Sequence, residues 1–280
     1  MRPAAAVILV GTELTTGLRR DGNGPVIAAR MSAHGYDVSE LRVVPDHRTS
    51  VAAAVSDCVA RCALVVVTGG LGPTHDDVTR EAVSDALGVP IVRDFDMEAK
   101  LRTLVAPKGA AAADAAARMA DIVGEGSFIP PATGTAPGLR IPTTLGEVVL
   151  LPGPPSEMGP MLDAILDPSA SQPTVLIRCT GITELDVQLR VSPIVDTAEG
   201  LGFTILAGYG EIQVILRDEG CGPDALGTAA AEVAAALGAD VISSDGRTLA
   251  AVVLDAARSS GSAIATAESC TGGRVAVALT

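Results

Sequence analysis

The sequence predicts an α/β fold, with an open, mostly parallel sheet flanked by helices. Two observations lead to this prediction. Short apolar runs rich in valine, leucine and isoleucine alternate, along the first half of the chain, with longer stretches rich in alanine. Several of these runs also end at a glycine-rich turn. Strands that alternate with helices are typical of parallel pairing, and ligands bind where the strands of such a sheet end.

Glycine and proline set most of the boundaries of the first three strands and helices. Pro25 occupies the first-turn position that helices favour for proline, and Gly35 and Gly88 each end a helix. The predicted strands span residues 4–10, 36–44 and 64–68. The predicted helices span residues 25–34, 50–61 and 78–87.

A long helical region is predicted next, over residues 97–121, with an interruption at Pro107-Lys108-Gly109. A turn-rich segment follows, between prolines 130 and 142. Residues 147–151 are predicted to form another buried strand. The loop Pro152-Gly153-Pro154-Pro155 closes this strand, and a helix over residues 156–166 begins at the loop.

The second half of the chain has a different element order. A linker at 168–173 precedes a strand, a helix, two strands and a helix, which predicts a small α+β domain. These elements span residues 175–179, 184–195, 203–207, 212–217 and 224–237. A second linker, 243–247, leads to a helix at 248–257 and a strand at 263–266. The predicted domains are therefore 1–169, 174–242 and 248–280, and the last is expected to be an incomplete α/β fragment because it is too short to fold alone.

The amino-acid composition limits the kinds of molecule that the protein is expected to bind. The formal net charge of −13 argues against a nucleic-acid surface, which needs basic side chains to contact phosphates. The five cysteines are scattered and odd in number, as in a reducing compartment. Neither a signal peptide nor an apolar run long enough to cross a membrane is visible. We therefore expect a cytoplasmic protein that binds neither membranes nor nucleic acids.

The loop after the third predicted strand carries the strongest functional signal. It reads Thr68-Gly69-Gly70-Leu71-Gly72-Pro73-Thr74 and leads through His75 to two adjacent carboxylates, Asp76 and Asp77. Glycines let backbone N–H groups approach an anion closely, and the start of a helix favours negative charge. The two carboxylates would repel a bare phosphate, so we expect a divalent cation or a proton between them.

Two further acids follow the neighbouring strands, Glu13 after the first and Asp46 after the second. Structural roles are the alternatives for these acids. Asp76 or Asp77 could cap the helix at 78–87, Asp46 could cap the helix at 50–61, and Glu13 could be a solvated loop residue.

Four segments together, in this order and spacing, resemble the CinA (competence/damage-inducible) family. They are Gly11-Thr12-Glu13-Leu14 with Gly17, Val44-Pro45-Asp46, the glycine loop with Asp76-Asp77-Val78-Thr79, and Leu151-Pro152-Gly153-Pro154-Pro155-Ser156-Glu157-Met158. The first domain of that family is similar to the molybdopterin-binding domain of molybdenum cofactor biosynthesis proteins. A fifth segment, Ala267-Glu268-Ser269-Cys270-Thr271-Gly272-Gly273, resembles the start of the nicotinamide mononucleotide (NMN) deamidase domain that ends full-length members.

The resemblance implies two activities and a homo-oligomer, expected to be a dimer. The first domain would hydrolyse ADP-ribose to AMP and ribose 5-phosphate with a divalent metal ion, and the NMN deamidase would work only in a full-length form. The middle domain would be KH-like, although its lack of a Gly-x-x-Gly loop flanked by basic residues argues against RNA binding. The implied catalytic residues are Asp46, Asp76, Asp77 and Ser269, of which the three aspartates would also bind the metal. The implied substrate-binding residues are Gly11, Thr12, Glu13, Asn23, Thr68, Gly69, Gly70, Gly72, Pro73, Thr74, Pro152, Gly153, Pro154 and Pro155.

One segment departs from the family pattern, and two other functions stay open. Where relatives carry Asp-Thr-Asn-Ser, this chain has Asp21-Gly22-Asn23-Gly24, which lacks two hydroxyl groups that could bind a ligand. The first alternative function is a non-catalytic module that binds molybdopterin or a nucleotide in competence or the response to DNA damage. The second is an enzyme that resembles the molybdopterin adenylyltransferases, in which a phosphate rather than water is the attacking group.

Overall fold

The computed structural model describes residues 2–167, 172–208 and 210–280. The chain divides into two compact units, Met1–Ser171 and Gln172–Thr280. Within the described residues of the first unit the strands are β1 (Ala4–Val10), β2 (Asp37–Val44), β3 (Leu64–Thr68), β4 (Ile91–Arg93), β5 (Asp121–Val123), β6 (Ser127–Ile129), β7 (Gly138–Pro142) and β8 (Glu147–Leu151). The helices of this unit are α1 (Thr12–Thr15), α2 (Asn23–Ala33), α3 (Arg48–Val59), α4 (Thr79–Leu87), α5 (Phe95–Val105), α6 (Ala110–Ala117) and α7 (Pro155–Ile165).

The first unit is built on a six-stranded sheet with the order β2-β1-β3-β8-β7-β6. The strands from β2 to β8 are parallel to their neighbours, whereas β7 and β6 are antiparallel additions at one edge. The predicted α/β class with a mostly parallel sheet is therefore confirmed. Strands β4 and β5 pair separately as a two-stranded antiparallel sheet.

Helices cover both faces of this sheet, so its central strands are buried on both sides. Alternate residues of β3 enter two separate cores, Val65 and Val67 on one face and Val66 on the other. All five residues of β3 are buried. This burial explains the continuous apolar runs in the sequence, because a parallel strand covered on both faces has no polar side.

The parallel pairing brings the carboxyl ends of four strands to one edge of the sheet. Val10 at the end of β1 is in register with Val44 at the end of β2. Thr68 at the end of β3 is in register with Leu9 of β1 and with Leu151 of β8. The four loops that the sequence analysis singled out therefore begin side by side, as an open α/β sheet requires of its ligand site.

The sequence analysis missed helix α1 and the four short strands β4, β5, β6 and β7 of the first unit. Strands β6 and β7 lie in or beside the segment predicted to be rich in turns, and β5 begins where the predicted helical region ends. β5 and β6 have three residues each, and each pairs with another short strand, β5 with β4 and β6 with β7. Short strands of this kind depend on their neighbours more than on their own residues.

The second unit contains an antiparallel sheet with the order β10-β11-β9-β12. Its strands are β9 (Thr174–Cys179), β10 (Leu201–Ala207), β11 (Ile212–Asp218) and β12 (Val241–Ser243), and its described helices are α8 (Glu184–Val195), α9 (Pro223–Leu237), α10 (Leu249–Ser259) and α11 (Arg274–Leu279). Apart from β12, the order from β9 to α9 is the predicted strand, helix, strand, strand, helix. One core joins both helices of that series to the sheet.

The strand predicted at residues 263–266 is wrong. These four residues are exposed and have no regular secondary structure. Ala263 to Thr266 is apolar enough for a strand, but no strand in the described part of the chain pairs with it, and an isolated strand has no partner for its backbone groups. No helix among the described residues is long and apolar enough to span a membrane.

Candidate functional site

A cleft of about 760 Å³ lies at the edge where the four parallel strands end, and it falls wholly within the first unit. Its volume is in the range of small-molecule sites, about 300–1,000 Å³. The loops that follow β1, β2, β3 and β8 line it, together with the facing parts of α5 and α6. The cleft is thus where the topology predicts a ligand.

The glycine loop after β3 lines the cleft, and the hydroxyl groups of two threonines hold it in place. Gly69 and Gly70 adopt left-handed backbone conformations, with φ of 101° and 66°. Thr68 Oγ1 donates to the carbonyl of Pro152 over 2.9 Å, and Thr79 Oγ1 donates to the carbonyl of Gly69 over 2.8 Å. Both hydrogen bonds are buried, so they fix the loop without occupying the surface that faces the cleft.

Asp77 shapes this loop. Its carboxylate accepts hydrogen bonds from the backbone N–H of Gly72 over 2.8 Å and from the N–H of Thr74 over 2.7 Å, and the hydroxyl oxygen of Thr74 lies 2.6 Å from it. Helix α4 starts after Val78, which makes no side-chain cap. The capping alternative is therefore wrong for Asp76 and Asp77, and both oxygens of Asp77 are used to close the turn.

Asp76 shares the hydroxyl of Thr74 with Asp77. Thr74 Oγ1 is within hydrogen-bonding distance of both carboxylates, yet a hydroxyl has one proton and can donate to only one of them. The hydrogen bond from Thr74 is the main reason why the pKa of Asp76 is below its usual range. The neighbouring His75 is 98% exposed, with Nδ1 4.0 Å from Asp76 Oδ1. The carboxyl group of Asp76 is therefore charged at neutral pH.

Asp46 joins the loops after β1 and β2. Its Oδ2 accepts a hydrogen bond from the backbone N–H of Thr12 over 2.6 Å, while Thr12 Oγ1 accepts one from the N–H of Asp46 over 3.2 Å. The N-cap of α3 is His47 without a side-chain hydrogen bond, so the capping alternative for Asp46 is also wrong. Glu13 lines the cleft beside it, and among the described residues its carboxylate has no ion pair.

The loop that departs from the family pattern is held without the two missing hydroxyl groups. Asp21 Oδ1 accepts hydrogen bonds from the N–H groups of Asn23, at 2.9 Å, and Gly24, at 3.0 Å, which are the first two residues of α2. Asn23 Nδ2 donates to the carbonyl of Gly153 over 2.7 Å. The loops after β1 and β8 are therefore connected through Asn23, and this contact closes one end of the cleft.

Most of the predicted site residues lie together. Those that line the cleft are Glu13, Asn23, Asp46, Thr68, Gly69, Gly70, Gly72, Pro73, Thr74, Asp76, Asp77, Pro152, Gly153, Pro154 and Pro155. Gly11 and Thr12 do not line it, but the latter supports Asp46. Ser269 belongs to the second unit, where its hydroxyl lies 3.8 Å from the sulfur of Cys270.

The predicted metal ligands are not grouped as a metal centre. Within the described ranges, no three side chains of His, Cys, Asp or Glu are arranged to hold an ion. The hydrogen bonds explain this result in part, because both oxygens of Asp77 are already occupied by the loop. A resident metal bound only by Asp46, Asp76 and Asp77 does not fit this arrangement.

Three basic residues of the cleft were missed. Arg19, Arg20 and Lys108 line it, and in the described part of the chain none of them forms an ion pair, whereas most of the other arginines do. Adjacent arginines in a glycine-containing loop were a signal that the sequence analysis did not use. These free cations give the cleft a means of attracting an anion.

Glu157 was also missed as a lining residue. It lies in the first turn of α7, and its carboxyl group fills the space where Gly134 has no side chain. Burial raises the pKa of Glu157. The apolar wall beside it comes from α5, α6 and the turn after them, with Val105, Ala116 and Met119 packed in a core of their own.

The chain is similar in sequence and in structure to known proteins. Residues 6–172 match a family described as "Probable molybdopterin binding domain". The chain is 34% identical to a CinA-like protein of Koribacter versatilis, over 99% of this chain and 70% of that protein. A CinA-like protein of Solibacter usitatus is 33% identical, over 99% of this chain and 69% of that protein.

The chain belongs to the CinA-like family. A solved structure titled "The crystal structure of the protein CinA with unknown function from Thermoplasma acidophilum" is 33% identical, with a TM-score of 0.53. It covers 58% of this CinA-like chain and 96% of the Thermoplasma chain. A third relative, from Symbiobacterium thermophilum, is named a putative competence-damage inducible protein and is 33% identical, over 97% of this chain and 67% of that protein.

Proposed function

We propose that the cleft of this CinA-like chain hydrolyses a nucleotide pyrophosphate, with ADP-ribose as substrate and AMP and ribose 5-phosphate as products. One observation carries the proposal: a glycine loop, a pair of carboxylates and unpaired cations line a single cleft at the carboxyl edge of the sheet. Hydrolysis of a phosphoanhydride needs these three elements to hold the phosphates, to orient water and to neutralise charge.

The backbone of the loop and the free cations are suited to the two phosphates. The N–H groups of Gly70 and Leu71 make no hydrogen bond with any described residue, whereas those of Gly72 and Thr74 are bound to Asp77. We infer that the first two donate to the substrate. The cations of the α1–α2 loop and of the turn after α5 then bind the outer phosphate oxygens.

The divalent metal ion enters as part of the substrate in this proposal. Mg²⁺ is commonly bound by substrate phosphates together with one or two carboxylates rather than by a cage of protein ligands. Asp76 keeps one carboxylate oxygen without a described partner, which is enough for such a contact. The ion would supply neutralisation of the phosphate charge.

The chain's own residues then divide the remaining work. The free carboxylate oxygen of Asp46 orients a water molecule and accepts its proton, while Asp77 keeps the loop in shape. The water oxygen forms a bond to one phosphorus atom as the bond from that atom to the bridging oxygen breaks. The leaving phosphate takes up the negative charge, and the proton is released from the carboxylate to solvent.

Product analysis tests the proposal. Purified protein is incubated with ADP-ribose and with Mg²⁺, Mn²⁺ or Co²⁺, with and without chelator, and products are separated by chromatography. We expect equal amounts of AMP and ribose 5-phosphate that depend on the metal. We also expect the chelator not to lower the melting temperature of the free protein, because no resident ion is proposed. Absence of AMP with every metal contradicts the proposal.

A second candidate is a module that binds a nucleotide or a molybdopterin without turnover. The use of both Asp77 oxygens by the loop favours it, as does the lack of a grouped metal centre among the residues that the structure describes. Binding of ADP-ribose measured by calorimetry, without product under any of the same conditions, would support this second function.

A further inference from the structure

Arg80 is a buried cation that has no acidic partner in direct contact within the described part of the chain. It lies in the first turn of α4 and is 5% exposed. Nη1 donates to the carbonyl of Leu71 over 2.9 Å, and Nη2 donates to the carbonyl of Pro137 over 3.3 Å. Nε is buried and has no hydrogen-bond partner among the described residues.

The stability of the fold does not explain why an arginine is buried at this position. A buried charge costs several kcal/mol of desolvation, and two neutral carbonyls return only part of it. An apolar side chain of similar length would fill the space without that cost. Most described arginines avoid the cost by pairing with acids at the surface, as Arg48 does with Asp85. The position of Arg80 therefore needs another reason.

The position relative to the cleft supplies that reason. Leu71, which accepts the shorter hydrogen bond, is part of the glycine loop and lines the cleft, whereas Arg80 itself does not line it. The guanidinium group thus lies directly behind the loop. A charge in the protein interior is screened less than one in water, so its field reaches the loop's outer surface.

The cleft needs such a field because its own carboxylates repel an anionic ligand. The charged groups that act on Arg80 are Asp121, Glu81, Asp77 and Arg118. Burial lowers the pKa of Arg80 to about 10, so the group keeps its charge at neutral pH.

We propose that Arg80 is a positioning residue for anion binding: it fixes the carbonyl of Leu71 and places a positive charge behind the glycine loop, so that the loop accepts a phosphate or pyrophosphate group. The inference rests on the proposed function only in taking a phosphate as the ligand of the loop. It does not require that the ligand be hydrolysed.

The test is the affinity of the full chain for inorganic pyrophosphate, measured by calorimetry. The variants are Arg80→Met, Arg80→Lys and the control Arg48→Met, which removes the same charge from the surface. We expect Arg80→Met to weaken binding at least tenfold and Arg48→Met to change it less than twofold. Wild-type protein that does not bind pyrophosphate, or an Arg80→Met variant within threefold of wild type, would overturn the inference.

A pH series separates the charge from a merely structural role and remains informative if Arg80→Met does not fold. A buried lysine loses its proton at lower pH than a buried arginine. The affinity of Arg80→Lys relative to wild type should therefore fall as pH rises from 6 to 9, and this ratio cancels the protonation of pyrophosphate itself. A ratio that does not change with pH overturns the inference.

The outcomes also distinguish this inference from the proposed function. Pyrophosphate binding that depends on Arg80, without AMP formation from ADP-ribose, leaves the inference standing and contradicts the hydrolase. AMP formation together with pyrophosphate binding that does not depend on Arg80 supports the hydrolase and overturns the inference.

Discussion

Replacing Asp77 by asparagine tests whether this residue holds the glycine loop in shape. The carboxylate accepts hydrogen bonds from two backbone N–H groups. An asparagine offers one carbonyl oxygen and one amide that donates, so at least one of the two N–H groups, of Gly72 or Thr74, loses its acceptor. A hydrogen bond to a charged group contributes about 1.5–3 kcal/mol, and solvent around the exposed Thr74 replaces part of it. We expect Asp77→Asn to lower the free energy of unfolding by about 1–2 kcal/mol, without loss of the fold.

Asp76→Asn is the matched control for this substitution. Asp76 is the adjacent acid, its side chain is 60% exposed, and its described side-chain contacts are with Thr74 and His75 alone. Urea unfolding monitored by circular dichroism compares the two variants with wild type, and we expect Asp76→Asn to cost less than about 0.5 kcal/mol. Both variants should lose turnover of ADP-ribose. The reasoning is refuted if the two variants are equally stable, or if Asp77→Asn retains the wild-type stability.

Three other predictions concern the loop, the cleft wall and the second unit. Gly69→Ala should lower the free energy of unfolding by about 2 kcal/mol or more, because the new methyl group would meet the carbonyl of Val10 and φ is left-handed there. Gly17→Ala is the control: its φ is also left-handed, but the space around it is open, so it should cost about 1 kcal/mol. Thermal melting compares the two variants with wild type. Burial raises the folded-state pKa of Glu157 above its ordinary value of 4.5, so ionisation of this group opposes folding as pH rises through the folded-state pKa. Glu157→Gln should therefore be more stable than wild type at pH 7. Urea unfolding should show that this difference in stability shrinks as the pH approaches 4.5. No described base contacts the hydroxyl of Ser269, so the chain should release no ammonia from NMN in a coupled assay, and measurable release would contradict this assignment.

The sequence was a good guide to the centre of the fold. β1, β3 and β8 have their predicted bounds, and β2 begins one residue later. Proline or glycine stands at the end of each, and continuous β-branched runs are typical of strands buried on both faces. Because four such strands are parallel, the location of the cleft at their carboxyl ends followed from the same pattern.

The parts that could not be predicted depend on contacts with other elements rather than on the local pattern of residues. Strand β7 exists because it pairs with β8, and residues 263–266 lack that support. Asp46 and Asp77 precede helices, which made capping a reasonable interpretation, but they bind Thr12 and the glycine loop instead. Arg80 lies at a helix start, where a charged residue is usually solvated, but the structure buries it beside the carbonyls of Leu71 and Pro137.

The rate of AMP formation from ADP-ribose and Mg²⁺, compared between wild type, Asp46→Asn and Asp57→Asn, tests the central claim most directly. Asp46 keeps a free oxygen in the cleft, whereas Asp57 pairs with Arg42 on the surface and serves as the control. The account predicts that Asp46→Asn loses about 100-fold or more in kcat and that Asp57→Asn is unchanged. AMP formation that is equally fast in all three proteins would contradict it.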